Sequence, residues 1–145
     1  MTAGRICVRS VDLADAHETV QTAAQRMNSR NVGSLMVVDG DARPIGVITD
    51  RDLATRVVAK GLDANVTHVG DVMTKALEVA SETMPIETLL SHMRAGPYRR
   101  LPVVDEYGKL VGMVTLDDVL DLLSEEFIEI GRLVRREAPA ALAEL

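Results

Sequence analysis

Displaced by 66 residues, the sequence falls on itself without a gap. Val37-Val38-Asp39 lands on Val103-Val104-Asp105, Gly46 on Gly112, Thr49 on Thr115 and Asp52 on Asp118. Met27 lands on Met93, and Leu35 on Leu101. A period of this kind means two copies of one supersecondary unit, and neither copy covers its own apolar face well without the other.

The apolar positions repeat with the identities. Val20, Ala23, Ala24 and Met27 follow i, i+3, i+4, i+7, as do Ile86, Leu89, Leu90 and Met93. Each set is one buried stripe on a helix. Thr19 and Pro85 precede the stripes and suit a helix start. Val-rich runs follow at Leu35 to Val38 and Leu101 to Val104, and they read as strands. Turn residues separate them from second strands at Ile45 to Thr49 and Leu110 to Thr115. A further helix closes each unit, with Leu53, Val57 and Val58 in the first copy and Val119, Leu120, Leu122 and Leu123 in the second. Gly61 ends the first of these. Extended lead-ins are weakly marked at Ile6 to Val11 and Val72 to Val79, and Ala64 to Gly70 reads as the joint.

The fold class is therefore α/β in the α+β sense: two β-α-β-β-α units related by an approximate two-fold axis, with their sheets packed together. The first spans residues 6–66 and the second 72–127. Residues 128–145 read as a charged, helical tail interrupted by Pro139, and the sequence leaves open whether it is a flexible tail or a packing arm.

Composition narrows the function. Phe127, Tyr98 and Tyr107 are the only aromatics, so the core is Val, Leu, Ile, Ala and Met. Met27, Met73 and Met93 read as core filler. A net charge of -6 disfavours nucleic acid and anionic membranes as partners. No stretch approaches the roughly 20 apolar residues that span a bilayer, and Met1 to Arg9 lacks the apolar core of an export signal. Cys7 is alone, so a reducing cytoplasmic setting is expected. His17, His68 and His92 lack metal-ligand spacing, and no metal is expected.

The paired motifs Gly46-Val47-Ile48-Thr49-Asp50-Arg51-Asp52 and Gly112-Met113-Val114-Thr115-Leu116-Asp117-Asp118, each preceded by Val-Val-Asp, resemble the CBS (cystathionine beta-synthase) domain family. The resemblance covers about residues 6–127. It implies two clefts, each open to an adenosine-containing ligand: AMP, ADP, ATP or S-adenosylmethionine. Carried over by position, one cleft holds Thr49, Asp50, Arg51 and Asp52 with Thr74, Leu77, Tyr98, Arg99 and Arg100. The other holds Thr115, Leu116, Asp117 and Asp118 with Gly33 and Ser34. The resemblance assigns the ribose to the Asp, and a carboxylate can accept hydrogen bonds from both hydroxyls. A helix N-terminus and Arg99 or Arg100 suit a phosphate. On that basis the Asp52 cleft ranks first, because the other has Gly33-Ser34 in place of the basic pair. Met36 stands where the second copy has Pro102, a further departure.

Plainer readings stand beside these. Thr-x-x-Asp is also a capping box, and both roles can coexist. Arg99 and Arg100 can be a solvated pair, with at most one facing the cleft, because neighbours in a strand point oppositely. Gly33 and Ser34 can be simple turn residues. Glu125, Glu126 and Glu129 with Arg132, Arg135 and Arg136 read as an exposed helix face. The leading functional reading is a nucleotide-sensing regulatory module, a homodimer through the helices after Thr49 and Thr115, acting on an unidentified effector protein. The alternative is a structural dimerisation module without a ligand. Catalysis is not expected, because no nucleophile–base pair, Gly-rich phosphate loop or metal motif is present.

Overall fold

The computed structural model describes residues 1–75, 78–96 and 99–143, with side chains to residue 136. The elements run α1 (Ala3–Ile6), β1 (Leu13–Ala14), α2 (Val20–Arg30), β2 (Ser34–Val38), β3 (Pro44–Thr49) and α3 (Asp50–Asp52), which continues as a π-helical turn over Leu53–Val58. The second unit repeats them as α4 (Val69–Val72), β4 (Ala80–Ser81), α5 (Ile86–Ala95), β5 (Arg100–Val104), β6 (Leu110–Thr115) and α6 (Leu116–Ala143). Each unit is a three-stranded sheet, β1-β2-β3 and β4-β5-β6, with one parallel and one antiparallel pairing. The α+β class and the two repeated units follow the sequence expectation.

The helices start where their residues allow. The Thr19 hydroxyl accepts from the Thr22 backbone N–H at 3.2 Å and caps α2. Asn31 closes that helix in the left-handed region, at φ 54. Gly61 reverses the chain at φ 67, which a Cβ would strain. Each sheet carries a register shift at the same place, between Val37 and Val38 and between Val103 and Val104. The repeat therefore extends to backbone irregularities.

The two units are interlocked. Val8 of the first lead-in bridges to Met113 in β6, and Thr74 of the second bridges to Val47 in β3. These are one contact and its equivalent 66 residues on, which is what a two-fold relation requires. The exchange reaches the cores. Ala3 is buried with Leu89, Leu101, Val103 and Val114 of the second unit, and Val69 and Val72 with Leu35, Val37 and Ile48 of the first. The lead-ins are thus divided: Ile6 and Val72 lie in the short helices α1 and α4, and the chain extends only after them. The segment 64–70, expected as a joint, packs instead on the first unit, where Thr67 O accepts from Val20 N and Ala16 O from Gly70 N, both at 2.9 Å.

The motif glycines exist for this interlock. A Cβ on Gly112 would lie 2.6 Å from Val8 O, and one on Gly46 would lie 2.9 Å from Thr74 O. Backbone crosses backbone there, so no side chain can swing away.

The apolar positions of the closing helices divide between core and surface. Val57 and Val119 are buried, but Val58, Leu120 and Leu123 are 76%, 51% and 40% exposed. The sheet covers only part of each helix, and these residues are not covered by it. Nor does Pro139 interrupt the tail, which is helical to Ala143 as a direct continuation of α6.

Gly46→Ala and Gly112→Ala should each destabilise the protein by about 1–3 kcal/mol, the usual cost of overpacking a close contact, as read by urea unfolding. A second test concerns the first hairpin turn. The Asp39 carboxylate accepts from the Asp41 and Arg43 backbone N–H groups at 2.9 Å each. The bond from Arg43 is the main cause holding its pKa below the ordinary carboxylate value. A lowered folded-state pKa contributes stability above the unfolded value, and that stability is lost as pH falls through the folded one. Wild type should exceed Asp39→Ala in stability at neutral pH, and the difference should shrink as pH falls through the lowered folded-state pKa of Asp39, as read by urea unfolding across pH.

Candidate functional site

Two capping boxes define the chemistry. The Thr49 hydroxyl accepts from Asp52 N at 3.1 Å while Thr49 N donates to Asp52 Oδ2 at 3.0 Å. Thr115 and Asp118 repeat this at 3.1 and 2.9 Å. The capping reading therefore holds at both sites, and it commits only one oxygen of each aspartate.

The second oxygen distinguishes them. Asp52 Oδ1 lies 3.7 Å from Arg56 Nε, and Arg56 is itself anchored by donating to Val72 O at 2.8 Å. In the second unit Leu122 occupies the equivalent position, so no cation of that helix faces Asp118. The helices differ too. α6 is a 28-residue helix whose dipole presents its positive end at Thr115, whereas α3 gives way to a π-helical turn after three residues.

The antiparallel register fixes the neighbours. Ser34 pairs with Thr49, and Arg100 with Thr115. The start of each leading strand thus lies beside the end of its own returning strand. Asp50 N donates to Gly33 O at 2.9 Å, and Leu116 N to Arg99 O at 2.7 Å. Gly33 thus adjoins the Thr49 turn and Arg99 the Thr115 turn, each within its own repeat. Ser34 and Arg100, equivalent residues of the two units, meet each other, with Arg100 Nη1 donating to Ser34 Oγ at 3.1 Å. That contact marks the two-fold axis.

On one side of it a cleft of about 240 Å³ is lined by Ser34, Arg100, Met113, Thr115 and Asp118 together with Val8, Ser10, Val11 and Asp12. Arg100 thus shares a cleft with Asp118, where the basic residues were expected opposite Asp52. Thr74 reaches the Thr49 side through its bridge to Val47. Asp50, Arg51 and Asp117 are exposed, and Leu116 packs partly on the second core. Leu77 and Tyr98 lie outside the described residues.

The lead-in residues of this cleft were missed by sequence reasoning, although the signal was there. Thr74 and Leu77 are the 66-residue equivalents of Val8 and Val11, but only the first pair was selected. Asp12 is held by Arg30 Nε at 2.8 Å and by its own carbonyl, which accepts from Met36 N at 2.9 Å. The Met36/Pro102 difference has its consequence here. Proline has no N–H, so the equivalent bond to the second lead-in cannot form. Pairing there begins at Ala80↔Val103, whereas β1 already pairs at Leu13↔Met36.

With the geometry in place, comparison with known proteins is direct. The CBS domain family model matches twice, at residues 3–59 and 69–125. The chain belongs to the CBS domain family. It is 34% identical to Hypoxic response protein 1 of Mycobacterium tuberculosis over 128 residues, 88% of this chain and 85% of that protein. It is 33% identical to a Methanopyrus kandleri protein over 122 residues, spanning 84% of this chain and 62% of the relative. Among solved structures, that of Hypoxic Response Protein I, described with two coordinated zinc ions, superposes with a TM-score of 0.73 at 34% identity, over 83% of this chain and 98% of that one. A CBS domain pair in complex with 5′-methylthioadenosine and S-adenosyl-L-methionine gives 0.72 at 25% identity, over 87% and 98%. The cytosolic domain of the Mg2+ channel MgtE in complex with ATP gives 0.71 at 28%, over 83% and 48%. Among the described residues of the present CBS pair, no His, Cys, Asp and Glu side chains gather in threes to hold a metal ion, and no helix is long and apolar enough to cross a membrane.

Thr115→Ala should remove the cap of α6 and cost about 1 kcal/mol. Thr49→Ala should cost a similar amount, so chemical denaturation of both variants checks that the two boxes are structurally equivalent.

Proposed function

We propose that this CBS pair is a regulatory, non-catalytic module that binds an adenosine-containing ligand in the cleft at Asp118 and passes its occupancy to an effector protein. The observation that carries this reading is the Asp118 carboxylate. One oxygen is fixed by the cap of α6, and the other is left to accept from a ribose beside Ser34 and Arg100. Val8, Val11 and Met113 supply an apolar wall for the adenine. The adenosyl ligands of the two related CBS structures support the same class.

The charge in the cleft suggests an order among ligands. Among the described residues Arg100 is the one cation lining it; Asp12 is already paired with Arg30, and Asp118 is the carboxylate without such a partner. Ligands with little negative charge are favoured: S-adenosylmethionine and AMP ahead of ADP and ATP. At Asp52, Arg56 competes for the oxygen that a ribose would use, so that cleft ranks second. This reverses the order drawn from sequence, because Arg100 lines the Asp118 cleft as well and Arg56 covers the free oxygen of Asp52. The exposed Val58, Leu120 and Leu123 support a homodimer through the helices that follow Thr49 and Thr115. A purely structural dimer would share that face but would have no use for the open carboxylate. A cytoplasmic site of action accords with the acidic, single-cysteine composition.

Thermal shift with adenosine, AMP, ATP and S-adenosylmethionine tests the reading, because a ligand that binds the folded state raises the midpoint. Calorimetry should then show Asp118→Ala weakening the best ligand by about 1.5–3 kcal/mol, the value of a hydrogen bond to a charged acceptor. Asp52→Ala should change it little, and circular dichroism must confirm both folds. No midpoint shift with any of the four, or loss of binding in Asp52→Ala alone, would overturn the proposal.

A further inference from the structure

α6 outruns its repeat. The family match ends at residue 125, yet the helix continues to Ala143. Along it, Leu120, Leu123, Phe127, Ile130 and Val134 recur at spacings of three and four. That is the a/d pattern of a two-helix seam, narrower than the stripe a helix lays on a sheet. All five are exposed. The chain's single phenylalanine is the most exposed of them, at 73%. Val119 and, in part, Leu116 fill the core at the start of this same face, and from Leu120 onward the face runs off the sheet and is exposed.

Charge along the helix is segregated. From Asp117 to Glu129 it carries six carboxylates and no Lys or Arg, and Arg132, Arg135 and Arg136 follow. Two such helices side by side in parallel would set acid against acid and base against base. Antiparallel, each basic end lies along the other's acidic stretch and the two helix dipoles oppose. The antiparallel arrangement also satisfies the seam. With Phe127 against Ile130 of the partner subunit, Leu123 falls against Val134 of the partner subunit. The two-fold axis then generates four apolar layers.

We propose that the outer half of α6 pairs with the same segment of a second copy as an antiparallel helical seam centred between Phe127 and Ile130. This goes beyond the adenosyl-ligand reading and does not depend on it. Phe127, Ile130 and Val134 lie beyond the matched repeats, so the contact extends along α6 any association made by the first turns of that helix. The seam runs about 16 Å from Leu123 to Val134, which suits reversible association.

Sedimentation equilibrium of the full chain tests it. Phe127→Glu combined with Ile130→Glu should weaken self-association at least tenfold without lowering the melting temperature, because both residues are exposed. Raising salt from about 0.02 M to 0.5 M should weaken the wild type by screening the acid–base attraction. A parallel seam would tighten instead. Reversing Arg132, Arg135 and Arg136 to Glu should also weaken it. Orientation is read by nitroxide labels on Arg136→Cys in a Cys7→Ser background. The antiparallel seam places the two labelled sites about 25 Å apart and a parallel one about 10 Å. Unchanged association in the double glutamate variant, a wild-type monomer throughout the micromolar range, or the short label distance would each overturn the proposal. Thermal shift with S-adenosylmethionine on the double variant keeps the cleft separate, since ligand binding there should be retained.

Discussion

Everything else in this molecule depends on a reciprocal backbone crossing. Each unit sends its lead-in over the returning strand of the other, Val8 onto Met113 and Thr74 onto Val47, at glycines that leave no room for a Cβ. The crossing places α1 in the second core and α4 in the first. Neither unit therefore has a complete core of its own. It also delivers Val8, Ser10, Val11 and Asp12 to the turn at Thr115 and Asp118, which is how a cleft forms between units that are far apart in sequence.

The near-symmetry of the crossing makes the departures from symmetry informative. Arg56 occupies one aspartate oxygen in the first unit, and Leu122 leaves its counterpart uncovered in the second. Pro102 removes a backbone donor that Met36 retains, so one lead-in is tied down where the other is not. Each is a single-residue difference on a common backbone. Together they turn a duplicated scaffold into two unlike sites.

Most of the fold was legible because it is written in periodicities. The 66-residue shift, the helical stripes and the Val-rich runs each report a local geometry that their own residues determine. The strands β2, β3, β5 and β6 and the helices α2 and α5 matched those signals to within a residue or so, whereas β1 and β4 fall just past the expected lead-ins at Ile6 to Val11 and Val72 to Val79. Less legible was anything decided by which element crosses which. Val58 and Leu120 carry the same apolar signal as Val57 and Val119, and only docking on the sheet separates them. The site behaved alike. Thr49, Asp52, Thr115 and Asp118 stand out as motifs, but the cleft that receives Arg100 depends on which way an axial side chain leans. A positional rule carries no such information. Asp12, far from either motif, offered no local pattern at all.

The Ser34–Arg100 contact is a residue meeting its own counterpart across the axis, so it is sensitive to any slip of one sheet against the other. A ligand that draws Arg100 toward itself takes the guanidinium from Ser34 and loosens that gauge. On the reading proposed above the same ligand would rest on Asp118, the residue that fixes the first turn of a 28-residue helix. Such a helix is about 42 Å long. Treated as a rigid rod hinged at Thr115, it converts a tilt of about 5° at the cleft into a displacement of about 4 Å at its far end. The position of Asp118 at the fulcrum makes the long helix a lever arm, with its small input at the cleft and its large output at the opposite tip.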